Sequence, residues 1–121
     1  MPKLLIVDDE IDVREFAGNF FRKRGVQVFL ASGGAEALDI IANETPELVL
    51  LDIRMEGVSG MDVLRRLRAK NSSVKVIMVS GIEDEEVVAE AKTLGVSGFI
   101  HKPLVLEELQ SAVFSILNGN P

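Results

Sequence analysis

The chain contains no cysteine, tryptophan or tyrosine and a single histidine. Without thiols there is neither a disulfide framework nor a thiolate nucleophile, and one imidazole cannot assemble a zinc site. All six aromatic residues are Phe, so the core must be built from aliphatic side chains. No apolar run approaches the roughly 20 residues needed to span a bilayer. Met1-Pro2-Lys3 leads into a short apolar run that ends in acids, too short for a signal-peptide core. Positive charge is also scarce: the net charge is −6 and the pI near 4.8, which disfavours direct nucleic-acid binding and attachment to an anionic membrane. A divalent cation or a basic partner surface suits such a chain better. These absences describe a soluble, cytoplasmic protein, and 121 residues fit a single domain over 1–121.

Short runs of branched aliphatics punctuate the chain. Lys3-Leu4-Leu5-Ile6-Val7 runs into Asp8-Asp9-Glu10, and Leu48-Val49-Leu50-Leu51 runs into Asp52. Val74 to Val79 runs into Ser80, and Gly98-Phe99-Ile100-His101 into Lys102-Pro103. Each reads as a buried strand, with Val26 to Leu30 as a further one. Between them lie segments with helical spacing. Val13, Phe16, Ala17, Phe20 and Phe21 mark the first, and Ala35, Ala37, Leu38, Ile41 and Ala42 the second. Met61, Leu64 and Leu67 mark the third, with Arg65, Arg66, Arg68 and Lys70 on its other faces. Val87, Val88, Ala91 and Leu94 mark the fourth, and Leu106, Leu109, Val113, Ile116 and Leu117 the fifth. Gly25, Gly95 and Gly119 fall where helices should stop. The terminal Asn118-Gly119-Asn120-Pro121 reads as an ending or the start of a linker.

Regular βα alternation predicts an α/β fold with a parallel sheet covered by helices on both faces. Parallel strands all point one way, so the residues that follow them collect on one edge, where open α/β sheets keep their chemistry. Asp8, Asp9 and Asp52 converging there would repel one another and raise at least one pKa unless a cation neutralises them. Magnesium takes oxygen ligands and is commonly held by one or two carboxylates, so an open acidic pocket suits it. A carboxylate beside such an ion can attack a phosphoryl group, with Lys102 supplying an ammonium and Ser80 a hydroxyl donor. Taken singly, each residue has a plainer reading: Asp9 or Asp12 as a helix cap, Asp52 as a loop acid, Lys102 as a surface charge, Ser80 as a turn residue.

The conjunction resembles a known family. Val7-Asp8-Asp9-Glu10, then Leu50-Leu51-Asp52-Ile53-Arg54-Met55 with Gly57 and Gly60-Met61-Asp62, then Val79-Ser80-Gly81, then Lys102-Pro103 are similar to the receiver domain of two-component response regulators. The resemblance covers the whole chain. It implies a flavodoxin-like, doubly wound sheet in the order 2-1-3-4-5 and a phosphorylation-dependent signalling module rather than a metabolic enzyme. In it Asp52 matches the phosphoacceptor, while Asp9 and Asp52 match direct carboxylate ligands of Mg2+, with Mn2+ as an alternative ion. Asp8 matches the acid that acts through a metal-bound water, and the backbone carbonyl of Arg54 the third protein ligand. Lys102 matches the lysine that pairs with the phosphoryl group, and Ser80 the hydroxyl that swings to it. Phe99 matches an aromatic whose rotamer follows that swing, although its plain reading is a core aromatic. Pro103 is a cis-proline candidate.

The partners so implied are a sensor histidine kinase or phosphotransfer protein and a downstream target or output domain, engaged through the face of the fourth helix, fifth strand and fifth helix. Homodimerisation linked to phosphorylation is a further implication. The chain departs from the pattern at Glu56, where many members have Pro, which should loosen the loop and add charge at the pocket rim. Phe99 stands where Tyr is frequent. Arg54 and Ile82 are expected to shape access of water to the phosphoryl group. A haloacid-dehalogenase-type phosphatase would carry a second acid two residues after the nucleophile, where this chain has Arg54. A flavodoxin-like cofactor carrier would need a phosphate loop in place of the acids after the first strand. Ser32-Gly33-Gly34 lacks the Lys-Ser/Thr of a P-loop and reads as a turn before a helix. His101 reads as a strand-end residue rather than a general base.

Overall fold

The computed structural model describes residues 1–70, 72–81 and 85–119; the expectation for Ile82 lies outside them. Five strands, β1 (Lys3–Val7), β2 (Gln27–Ala31), β3 (Leu48–Asp52), β4 (Lys75–Ser80) and β5 (Gly98–His101), form one parallel sheet in the order β2-β1-β3-β4-β5. The helices are α1 (Ile11–Arg22), α2 (Gly34–Glu44), α3 (Gly60–Ala69), α4 (Glu85–Thr93) and α5 (Leu106–Leu117). Alternate residues of each strand feed opposite layers, as the two-residue period of a strand requires. Leu5, Val7, Val49, Leu51, Val76 and Met78 pack with Ala37, Ile41, Leu64, Leu67 and Ala91 from α2, α3 and α4. Leu4, Ile6, Leu48, Leu50, Ile77, Val79 and Ile100 pack with Ala17, Phe21, Leu109 and Val113 from α1 and α5. Both faces of the sheet are covered, which is why its strands are continuous apolar runs rather than alternating ones.

The sequence reading of the elements needs small corrections. Strand β2 begins at Gln27, and Asp52 and Ser80 are the last residues of their strands rather than the first beyond them. Phe16, placed on the apolar stripe of α1, is 52% exposed, because Ala17, Gly18 and Phe21 already fill the contact with the sheet. Leu106 also opens to solvent. Arg68 does not join the solvated basic face of α3. Its half-buried guanidinium donates to the carbonyls of Ser72, Val74 and Leu94 at 2.7–3.0 Å, tying α3 to the start of β4 and the end of α4.

Gly60 positions the future site. Its N–H donates to the Ile53 carbonyl at 3.0 Å, which brings the first turn of α3 against the end of β3. A Cβ there would run into the Asp52 carbonyl oxygen and come within 2.9 Å of Ile53 Cα. The helix is fastened at the same point by a capping box: Ser59 Oγ accepts from Asp62 N–H, and the Asp62 carboxylate accepts from Ser59 N–H. Because the obstructing atoms are backbone, Gly60→Ala should cost on the order of 3 kcal/mol, seen as a lower midpoint in urea unfolding. An unchanged midpoint would show that α3 can withdraw from Asp52 freely.

Candidate functional site

Strands β1 and β3 are neighbours in register, Val7 opposite Leu51, so the next residues on each, Asp8 and Asp52, emerge side by side at the carboxyl edge. The direction of strand addition reverses here, with β2 added on one side of β1 and β3 on the other, and that divergence opens a crevice. Asp8 is 3% exposed and Asp52 2%. Carboxylates so deprived of water need partners. Asp52 Oδ2 accepts from Lys102 Nζ at 2.9 Å, and its Oδ1 accepts from the Arg54 backbone N–H at 3.2 Å. Asp8 Oδ1 accepts from the Glu10 N–H at 2.9 Å, and the Asp8 carbonyl from Arg14 at 2.7 Å. No side chain caps α1, whose N-cap is Glu10, so the reading of Asp9 or Asp12 as a cap does not describe this helix.

The acids gather differently from the expectation of three converging aspartates. Carboxylate oxygens of Asp8, Asp9 and Glu10 come within 4.8 Å of one another, whereas Asp52 is drawn onto Lys102. Glu10 is the member that sequence reasoning missed, although its place beside two aspartates was signal enough. Asp52 remains part of the same electrostatic unit. Burial pushes the Asp8 carboxyl up to about 6, and the nearby Asp52 charge adds to the rise against the Glu10 hydrogen bond. Burial likewise raises Asp52, outweighing the Lys102 bond that opposes it. Lys102 loses some basicity to burial, but the bond to Asp52 and the charges of Asp52, Asp8 and Glu10 carry it above the ordinary lysine value. An all-oxygen, electrostatically frustrated cluster open to solvent at Asp9 and Glu10 fits a hard divalent cation.

The remaining candidates lie around this centre. Lys102 follows β5, and its bond to Pro103 is cis. Ser80 ends β4, 1% exposed, opposite His101 in the β4–β5 register, with Ser80 Oγ 3.2 Å from His101 Nδ1. That contact was not read from the sequence, where His101 is only a strand-end residue. Strand pairing alone decides which residue faces Ser80. Phe99 is half-buried against the layer that contains Met78 and Val87. Arg54 and Glu56 line a cavity of about 480 Å³ with Asp9, Met55, Ser59 and Arg65, so the Glu56 charge does stand at the rim. Gly34 of the Ser32-Gly33-Gly34 turn meets Val58, whose carbonyl oxygen would lie 2.5 Å from an added Cβ. This turn supports the loop after β3 and holds no phosphate-binding motif.

A β1 ending in acids, a β3 ending in a buried Asp, a hydroxyl ending β4 and a Lys-cis-Pro after β5 correspond to one family in the comparisons. The model of the response regulator receiver domain matches residues 4–114. Sporulation initiation phosphotransferase F of Bacillus subtilis is 36% identical over 111 residues, spanning 92% of this chain and 90% of that protein. Response regulator MprA of Mycobacterium sp. (strain KMS) is 33% identical over 97% of this chain, which spans only 51% of MprA. Among solved structures, a Francisella response regulator receiver domain superposes with a TM-score of 0.90 at 26% identity, covering 100% of both chains. A receiver domain protein from Clostridium thermocellum gives 0.89 at 27% identity, covering 98% of this chain and 95% of that one. The chain therefore belongs to the response regulator receiver domain family, which implies phosphorylation-dependent signalling in two-component systems.

The raised Asp8 carboxyl has a measurable sign. Between about pH 4 and pH 6 the folded chain keeps a proton on Asp8 that the unfolded chain has released, so stability falls as pH rises through that window and stays lower above it. In a chelating buffer at pH 8, Asp8→Asn should therefore be the more stable protein by on the order of 2 kcal/mol in urea unfolding, with the gap closing toward about pH 4. A variant no more stable than the parent at pH 8 would contradict the desolvation of Asp8.

Proposed function

We propose that Asp52 accepts a phosphoryl group from the phosphohistidine of a sensor histidine kinase or phosphotransfer protein, and that the resulting acyl phosphate changes how this domain binds its target. The observation that carries the reading is the buried Asp52 carboxylate held 2.9 Å from the half-buried Lys102 ammonium, beside the Asp8, Asp9 and Glu10 carboxylates. An Asp52 oxygen attacks phosphorus in line as the bond to the donor imidazole nitrogen breaks, and the freed imidazole takes a proton from solvent. Lys102, already against Oδ2, follows the negative charge onto the phosphoryl oxygens, and Ser80 donates its hydroxyl to one of them. Asp8, Asp9, Asp52 and the Arg54 carbonyl would hold Mg2+, which supplies charge neutralisation for the transferring group. Mn2+ suits the same oxygens. Arg14, bonded to the Asp8 carbonyl, braces the loop that presents Asp8 and Asp9.

The output is a shift between two states. The phosphoryl group adds negative charge and acceptor oxygens that reward an inward Ser80, and Phe99 on the adjacent strand follows. The α4-β5-α5 face then changes its affinity for a downstream protein, an attached output domain or a second copy of this chain. In this reading residues 1–121 act as one cytoplasmic receiver domain that contributes the catalytic groups for its own phosphorylation and dephosphorylation. A phosphatase of the haloacid dehalogenase type is disfavoured by Arg54, which stands where that chemistry needs an acid.

Incubation with acetyl phosphate and Mg2+ should add one phosphoryl mass to the intact protein and none to Asp52→Asn. Equal gain in both would remove Asp52 from the role. Lys102→Ala should stay folded by circular dichroism while its phosphorylation slows on the order of 100-fold, as expected for loss of a charge that stabilises the transferring group. A wild-type rate in that variant would make Lys102 a structural counter-ion only.

A further inference from the structure

Ser80 is buried, and its hydroxyl lies 3.2 Å from Nδ1 of His101, the solvent-facing residue paired with it across β4 and β5. The pairing is firmly held, because the next N–H along β5, that of Lys102, donates to the Ser80 carbonyl at 2.9 Å. A serine hydroxyl has one proton to give. A neutral imidazole protonated at its outer nitrogen, Nε2, presents Nδ1 as an acceptor, and the Ser80 proton is then committed to His101. Phosphoryl oxygens are acceptors too, so with the imidazole in that tautomer Ser80 can serve them only by giving up His101.

We infer that His101, as the tautomer protonated at Nε2, is a positioning residue that accepts from the Ser80 hydroxyl, holds it in its resting direction and competes with the phosphoryl group for its proton. This rests on the reading of Asp52 as phosphoacceptor. Phosphorylation must break the Oγ–Nδ1 bond, so His101 sets part of the threshold for switching, and a phosphorylated chain that loses its phosphoryl group has a partner waiting to reclaim Ser80. The residue immediately before Lys102 thereby tunes how readily the site loads, although the structure places its ring against Ser80 rather than against Asp52 or Lys102.

The rate of phosphoryl mass gain from acetyl phosphate with Mg2+ tests this on the full chain. His101→Phe keeps a ring and removes the acceptor, and should load about five-fold faster, the change expected when one ordinary hydrogen bond no longer opposes the step. His101→Asn offers Oδ1 in the place of Nδ1 and should stay within about two-fold of the parent on the same hydrogen-bond reasoning. In a Ser80→Ala background His101→Phe should change nothing, since the two residues act through one bond. An unchanged or slower rate in His101→Phe, or an acceleration that persists without the Ser80 hydroxyl, overturns the role of His101. With Asp52→Asn run alongside, those results leave the phosphoacceptor reading standing. No gain in the parent, or equal gain in Asp52→Asn, overturns that reading and this inference together.

Discussion

Everything at the carboxyl edge of the sheet answers to the removal of water from two neighbouring carboxylates. Asp8 and Asp52 emerge from β1 and β3, two interior strands, and each is almost entirely shielded from solvent. Lys102 is spent on one of them, which leaves the Asp8 carboxylate with the Glu10 N–H and a raised pKa. A sheet selected for stability alone would place a neutral side chain there, since unpaired buried charge is among the costlier features a fold can keep. The tension is relieved by whatever brings positive charge to Asp9 and Glu10, the exposed members of the cluster. The folded state thus carries an electrostatic cost at this edge that positive charge would offset.

Much of this was legible in the sequence, and the reason is geometric. Five apolar runs with helical segments between them leave a parallel sheet as the natural arrangement, and parallel strands deliver their last residues to one edge. Asp8, Asp9, Asp52, Ser80 and Lys102 could therefore be assembled from their positions after strands. The family resemblance supplied what position could not, including the strand order and the attention to Phe99 and Pro103. What stayed hidden depends on neighbours distant in the chain. That Glu10 rather than Asp52 completes the tight acidic triad follows from Lys102 claiming Asp52. That Arg68 gathers carbonyls from three segments follows from how α4 ends beside α3. That His101 faces Ser80 follows from strand register, which hydrophobic pattern fixes only to within the correct face.

Helices α3 and α4 are joined by side chains as well as by packing. Arg65 on α3 grips Glu90 on α4 with two hydrogen bonds of 2.6 Å and also reaches Asp62, the residue that caps α3 beside Asp52. These side chains are well exposed, and such pairs contribute little to stability in water. Their value lies in geometry: a planar guanidinium held at two points fixes the orientation of one helix on the other. The capping box of α3, beside the end of β3, and helix α4 are thereby joined through one side chain.

The parallel arrangement also has a consequence for how such a chain can diversify. Asp8, Asp9, Asp52, Ser80 and Lys102 all sit at one edge, while the turns at the opposite edge, around Gly25, Thr45 and Gly95, contribute none of these groups. Drift, insertion or grafting at that far edge leaves the reaction centre untouched. The fold thereby separates the edge that carries the candidate site from the edge where the chain can vary at least cost to it.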